Sequence, residues 1–231
     1  MSGLVIAAPE QAVVPVVGGG SFPVRRIYCV GRNYAEHARE MGHDPDREPP
    51  FFFMKPADAV LTGGRDMPYP AMTSDLHHEL ELVAGLGSGG SDIPVEAALG
   101  HVWGYAVGLD MTRRDLQGEA KKLGRPWEMG KGFDHSAPIG AMQAASGVGG
   151  AFDPGRGRIE LRVNGSVRQS SDLSKMIWSV AETISVLSRF MRLEAGDLIM
   201  TGTPEGVAAI RRGDVLEGSV EGLPGLSVRM I

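Results

Sequence analysis

Polar and apolar residues alternate with a period of two along much of this chain. In HELELVAGL, Leu80, Leu82 and Ala84 fall on one face and Glu79, Glu81 and Val83 on the other, as in a half-buried strand. RIELRVNGSVRQ holds two alternating runs around Asn164-Gly165, a dipeptide suited to a two-residue hairpin turn. Further strands are expected in RRIYCVG, in HVWGYAVGLDM and, toward the C-terminus, in DLIMTG, DVLEGSVEG and LSVRMI. FFFM reads as a short buried strand closed by Lys55-Pro56.

The helical period is rarer. Val180, Ile184, Leu187 and Met191 recur at helical spacing in WSVAETISVLSRFM, which predicts an amphipathic helix covering a sheet. TRRDLQGEAKKLG predicts a second helix with Thr112 as its cap and Gly124 as its stop, and NYAEHAREMG a short one between Asn33 and Gly42. Residues 1–22 read as an extended arm ending in Gly18-Gly19-Gly20, and residues 23–231 as one domain. The pattern implies a strand-dominated α/β (α+β) domain; 33 glycines and 15 prolines in 231 residues point away from a helical bundle.

Charge and composition remove several classes of function. The net charge is -5 and the basic residues are scattered, so no stripe exists to displace counterions from nucleic acid. The N-terminus has no basic start, and Pro9, Glu10 and Pro15 break its apolar run far short of a membrane span, so a cytoplasmic location is expected. Cys29 is the only cysteine; among Ile27, Tyr28 and Val30 it reads as a small core residue.

The candidate chemistry begins with carboxylates. Glu79 and Glu81, two apart on one strand, emerge on the same face and could share a hard cation, although the same pair also fits a solvated strand face. Asp110 ends an otherwise apolar strand, where a charge is costly unless paired or metal-bound, or else it is a polar helix entry. His37 and Glu40, three apart on a helix, could orient an imidazole to take a proton from water, or simply form an exposed face. Lys131 lies between two glycines in MGKGFD and could approach an oxyanion closely, or be a solvated loop lysine. TGTPEG offers the hydroxyls of Thr201 and Thr203 and backbone N–H groups to an anion, or is a generic turn. His77 and His78 point to opposite faces, and neither is expected to be a ligand.

In order, GRNYAEHAREM, FFFMKP, HHELEL, GYAVGLDMTRRDLQ, KGFD and TGTPEGV follow one another along the chain, and this series resembles the fumarylacetoacetate hydrolase superfamily. The resemblance implies a mixed β-sandwich roll, assembled as a homodimer. It makes Glu79, Glu81 and Asp110 ligands of Mg²⁺ or Mn²⁺, and His37 with Glu40 the dyad that activates water. It gives Lys131 and Gln117 to substrate oxygens, and Arg114 and Thr203 to orienting the substrate. Within the superfamily, FPVRRIYCVGRNYAEHAREMG is most similar to fumarylpyruvate hydrolases of the gentisate pathway. Gly130 departs from the alanine expected before the lysine, a change that should loosen Lys131.

The implied activity is hydrolysis of a carbon–carbon bond in an acylpyruvate, with fumarylpyruvate giving fumarate and pyruvate. Decarboxylation of oxaloacetate, or isomerisation of an unsaturated dioxo acid, would use the same site. A non-catalytic, metal-stabilised binding protein is the alternative of another class.

Overall fold

The computed structural model describes residues 3–36, 48–146 and 152–231. Its larger sheet has six strands, in the order Gln143–Ala144, Val102–Leu109, Leu80–Leu86, Asp197–Met200, Arg26–Gly31 and Phe51–Lys55. Asp197–Met200 lies parallel to Arg26–Gly31, and the other neighbours are antiparallel. A second, antiparallel sheet runs Ser166–Asp172, Arg158–Val163, Val215–Val220 and Leu226–Arg229. It opens with the expected hairpin: Val163 faces Ser166, and Asn164 and Gly165 take φ values of 52° and 76°, the left-handed pair that such a turn requires.

The two sheets pack face to face. Leu80, Leu82 and Val107 of the first share a core with Ile159, Leu161 and Leu216 of the second. At Gly218 they come so close that an added Cβ would stand 2.6 Å from Leu80 Cδ1, leaving no room for a side chain in a core packed this tightly. Ile27, Cys29, Val83, Leu198 and Met200 turn the other way, toward Val14, Phe22, Ile139 and Met142.

That second cluster changes two expectations. Leu80–Leu86 is buried along its whole length, not on one face only, because apolar groups cover both sides of a central strand. Part of the cover comes from the segment read as an extended arm. Val13–Pro15 pairs with Ser21–Pro23, the glycine run makes the turn, and Val14 and Phe22 are buried.

Phe51–Lys55 lies at the sheet edge, and its three phenylalanines are half-buried rather than enclosed. The amphipathic helix spans Val180–Phe190, begins with a capping box between Ser179 and Glu182, and buries Val180, Ile184 and Leu187. The helix Arg114–Lys122 stops as expected before Gly124, at φ 62°. Thr112 does not cap it: its hydroxyl donates to the Asp110 carbonyl at 3.1 Å and serves the site described below. Residues 37–47, which hold most of the helix expected after Asn33, lie outside the described residues. Asn33 itself works as a latch. Its amide donates to the carbonyls of Trp178 (2.8 Å) and Thr201 (2.7 Å), and its oxygen accepts from Trp178 N at 2.7 Å. Among the described residues no helix is long and apolar enough to cross a membrane.

Candidate active site

Three carboxylates meet where two antiparallel strands end. Glu79 immediately precedes Leu80–Leu86, Glu81 stands opposite Gly108, and the Asp110 amide donates to the Glu79 carbonyl at 2.8 Å. The pairing brings ligand oxygens of Glu79, Glu81 and Asp110 within 4.8 Å of one another, and all three residues are buried. Glu79 and Glu81 share a face as their spacing predicts; the third acid arrives through the tertiary fold.

Such proximity is unfavourable without cations. Burial first, then Asp110 and Glu79, hold the Glu81 carboxyl well above the usual range, while the Gly202 amide, donating at 2.7 Å, opposes the rise. Lys131 answers most directly. Its Nζ donates to Glu79 Oε2 and Asp110 Oδ2, both at 2.8 Å, and to Thr112 Oγ1 at 2.7 Å. Burial works against the ammonium, but Asp110 and Glu79 outweigh it and lift Lys131 above the ordinary lysine value. Lys131 is thus a cation here and not a base.

Arg114 pairs with Glu79 Oε1 and also donates to Gln117 Oε1 at 2.6 Å. Lys55 is buried behind the acids, with Nζ 2.8 Å from Asp110 Oδ1 and 3.1 Å from the Met111 carbonyl, and it also donates to the Lys131 carbonyl. Asp110 Oδ1 nevertheless has no donor in hydrogen-bond geometry. A buried all-oxygen donor set with one under-satisfied oxygen suits a hard divalent ion such as Mg²⁺ or Mn²⁺.

The acids open onto a cleft of about 250 Å³. Glu79, Glu81, Arg114, Gln117, Lys131 and Thr203 line one part of it, so six of the nine site residues named from sequence share one cavity, with Asp110 completing the triad beside it. His37 and Glu40 lie outside the described residues. The rest of the wall is aromatic and cationic. Trp127 meets Phe51 and Phe53 with ring centroids 5.5 and 5.9 Å apart, and Arg32, Lys121 and Lys122 line the same cleft.

Thr201, also proposed to meet an anion, is fully buried, its hydroxyl donating to the Leu82 carbonyl at 3.0 Å. His77 pairs with Asp75 at 2.9 Å, and His78 lies 3.1 Å from Gln169 Oε1, with burial pushing its pKa down to about 4. Gly130 does not loosen Lys131. An alanine Cβ there would stand 2.9 Å from the Gln117 backbone nitrogen, so glycine lets the lysine turn seat against the helix carrying Gln117. Sequence reasoning missed Lys55, Arg32, Lys121 and Gln169. Lys55 carried a usable signal, since a charge closing an apolar strand poses the same problem that marked Asp110.

Residues 26–231 match the family model described as fumarylacetoacetate (FAA) hydrolase C-terminal. The crystal structure of fumarylpyruvate hydrolase from Pseudomonas aeruginosa, in complex with Mn²⁺ and pyruvate, is 56% identical, superposes with a TM-score of 0.95, and covers 99% of each chain. The mitochondrial oxaloacetate tautomerase of Homo sapiens is 41% identical over 206 residues, 89% of this chain and 91% of its own. The mitochondrial oxaloacetate decarboxylase of Dictyostelium discoideum is 40% identical over 86% of this chain and 90% of its own.

Proposed function

Because this chain belongs to the fumarylacetoacetate hydrolase family, and its carboxylate triad shares a cleft with Lys131, we propose that it hydrolyses fumarylpyruvate to fumarate and pyruvate. The observation that carries this reading is a single cleft lined by buried acids with Lys131, by aromatic rings, and by the cations Arg32, Lys121 and Lys122. A Mg²⁺ or Mn²⁺ ion held by Glu79, Glu81 and Asp110 would supply the charge that chelates a 2-oxo acid and acts as its electron sink.

The residues divide the remaining work. Arg114 and Gln117, already bonded to one another, orient the 2-oxo acid end. Glu40 holds the His37 imidazole, which takes a proton from the water that adds to the 4-oxo carbon. Collapse of the tetrahedral adduct breaks the C3–C4 bond, and its electron pair passes to the pyruvate enolate. The Lys131 ammonium stabilises the enolate oxygen, and protonation at C3 completes pyruvate.

The aromatic and cationic lining favours a planar, unsaturated tail that ends in a carboxylate. Phe51, Phe53 and Trp127 offer flat surfaces. Burial, then Arg32 and Arg114, lower the Lys121 pKa, which sets these three cations close enough to meet one anionic group. Lys121→Met is therefore expected to lower kcat/KM for fumarylpyruvate by about tenfold while leaving acetylpyruvate, which has a neutral tail, nearly unchanged. Equal losses on both substrates would remove Lys121 from tail recognition.

A second reading is favoured by the oxaloacetate-converting relatives. Decarboxylation of oxaloacetate forms the same pyruvate enolate, and tautomerisation forms the enolate of oxaloacetate itself; neither adds water, and decarboxylation, which also needs no proton taken from carbon, should tolerate loss of the His37–Glu40 dyad far better than hydrolysis does. Family membership is also the ground for proposing a homodimer and a place in gentisate-type aromatic catabolism in the cytoplasm.

A further inference from the structure

We propose that Gln169 is a positioning residue that sets the Thr203 hydroxyl as a hydrogen-bond donor into the cleft, toward an anionic oxygen of the bound 2-oxo acid. The proposal rests on the reading of the cleft as a 2-oxo acid site, and it concerns a residue far from the acids in sequence. Gln169 lies on Ser166–Asp172 of the second sheet and is 1% exposed.

Every polar position of its amide is used. Oε1 lies 3.0 Å from the Leu80 amide nitrogen and 3.1 Å from His78 Nδ1. Nε2 lies 2.8 Å from the Pro204 carbonyl oxygen and 2.8 Å from Thr203 Oγ1. The two backbone partners decide which way the amide faces: a backbone N–H can only donate and a carbonyl can only accept, so oxygen faces Leu80 and nitrogen faces Pro204. Thr203 Oγ1 is then an acceptor toward Gln169.

The consequence is for the hydroxyl hydrogen. With Gln169 presenting N–H, the Thr203 proton must point elsewhere, and Thr203 lines the cleft with Glu79, Glu81 and Lys131. With one lone pair taken by Gln169, this hydroxyl cannot turn its hydrogen toward that neighbour and keeps it for the cleft, which suits a carboxylate or 2-oxo oxygen. The loop is held as firmly as the hydroxyl. A Cβ on Gly206 would stand 2.1 Å from the Arg168 carbonyl, and one on Gly202 would stand 2.6 Å from Asn33 Cβ, so the turn is pressed against both Ser166–Asp172 and the latch residue.

A purely structural Gln169 would hold Pro204 and do nothing through Thr203. The two roles separate in a double-mutant cycle on the Mn²⁺-loaded protein, reading the dissociation constants of pyruvate and of Mn²⁺ itself. Thr203→Val is expected to weaken pyruvate binding by about tenfold, Thr203→Ser to retain it, and Gln169→Met to match Thr203→Val. The double variant should be no weaker than either single variant, with Mn²⁺ affinity unchanged throughout. Gln169→Glu keeps the size and presents only acceptors when ionised, so it turns the Thr203 hydrogen toward itself and should show the same loss if Gln169→Met fails to fold. Additive losses, or wild-type pyruvate affinity in whichever Gln169 variant folds, would overturn the proposal. Failure of the wild-type protein to hydrolyse fumarylpyruvate would count against the hydrolase reading alone, since the pyruvate series does not depend on turnover.

Discussion

Glu81→Ala is expected to weaken Mn²⁺ binding by about 100-fold or more, beyond the 10–100-fold typical of losing a group that only supports a ligand. The sign of its effect on stability should depend on the metal. Without the ion, Glu81 is a 1% exposed acid whose carboxyl burial and two neighbouring carboxylates hold well above the usual range. Removing it relieves that repulsion at the expense of a small cavity and of the Gly202 N–H bond, so the apo protein should lose little stability. With the ion, the native wild-type protein should gain about 2.7 kcal/mol at 100 times its Kd, and the variant should not gain it at the same concentration. Thermal unfolding with and without Mn²⁺ reads both effects. A full metal-induced rise in Tm for the variant would mean that Glu81 is not a ligand.

His37→Ala is expected to lower hydrolysis of fumarylpyruvate by about 10²- to 10⁴-fold, the range attributed to a positioned general base, and to leave Mn²⁺ affinity unchanged because the dyad acts on water and not on the ion. Measured beside it, turnover of oxaloacetate in the same variant distinguishes the two proposed chemistries. A hydrolase that merely tolerates oxaloacetate would lose fumarylpyruvate cleavage selectively. Comparable activity of wild type and variant on fumarylpyruvate would remove His37 from the mechanism, and loss of Mn²⁺ binding would mean that its role had been misassigned.

What could be read in advance follows the range of the interactions concerned. The hairpin at Asn164-Gly165 was legible because turn geometry is a property of adjacent residues. The Val180–Phe190 helix was legible for the same reason, from its spacing. The chemical types at the site were also visible, but each had a bland alternative until strand pairing set Asp110 beside Glu79. Lys55 and Gln169 were missed since their meaning depends on partners remote in sequence: Lys55 pairs with Asp110, and Gln169 bonds to Leu80 and Thr203.

The failures have the same origin. Glu79 and Glu81 looked like the polar side of a half-exposed strand because alternation cannot show that Lys131, Arg114 and the Gly202 amide, all remote in sequence, close over them. Thr112 had the right chemistry for a helix cap, yet it is committed to tertiary bonds that hold the site together. Polar residues used this way compete with local propensity, and the functional region is where such competition is expected.

The most direct test of the central claim is steady-state turnover of fumarylpyruvate and oxaloacetate by the wild-type protein, with Mn²⁺ or Mg²⁺ and again after chelation. The account predicts that fumarate and pyruvate form from fumarylpyruvate at the higher kcat/KM and that chelation abolishes their formation. Efficient conversion of oxaloacetate with no release of fumarate from fumarylpyruvate would contradict it.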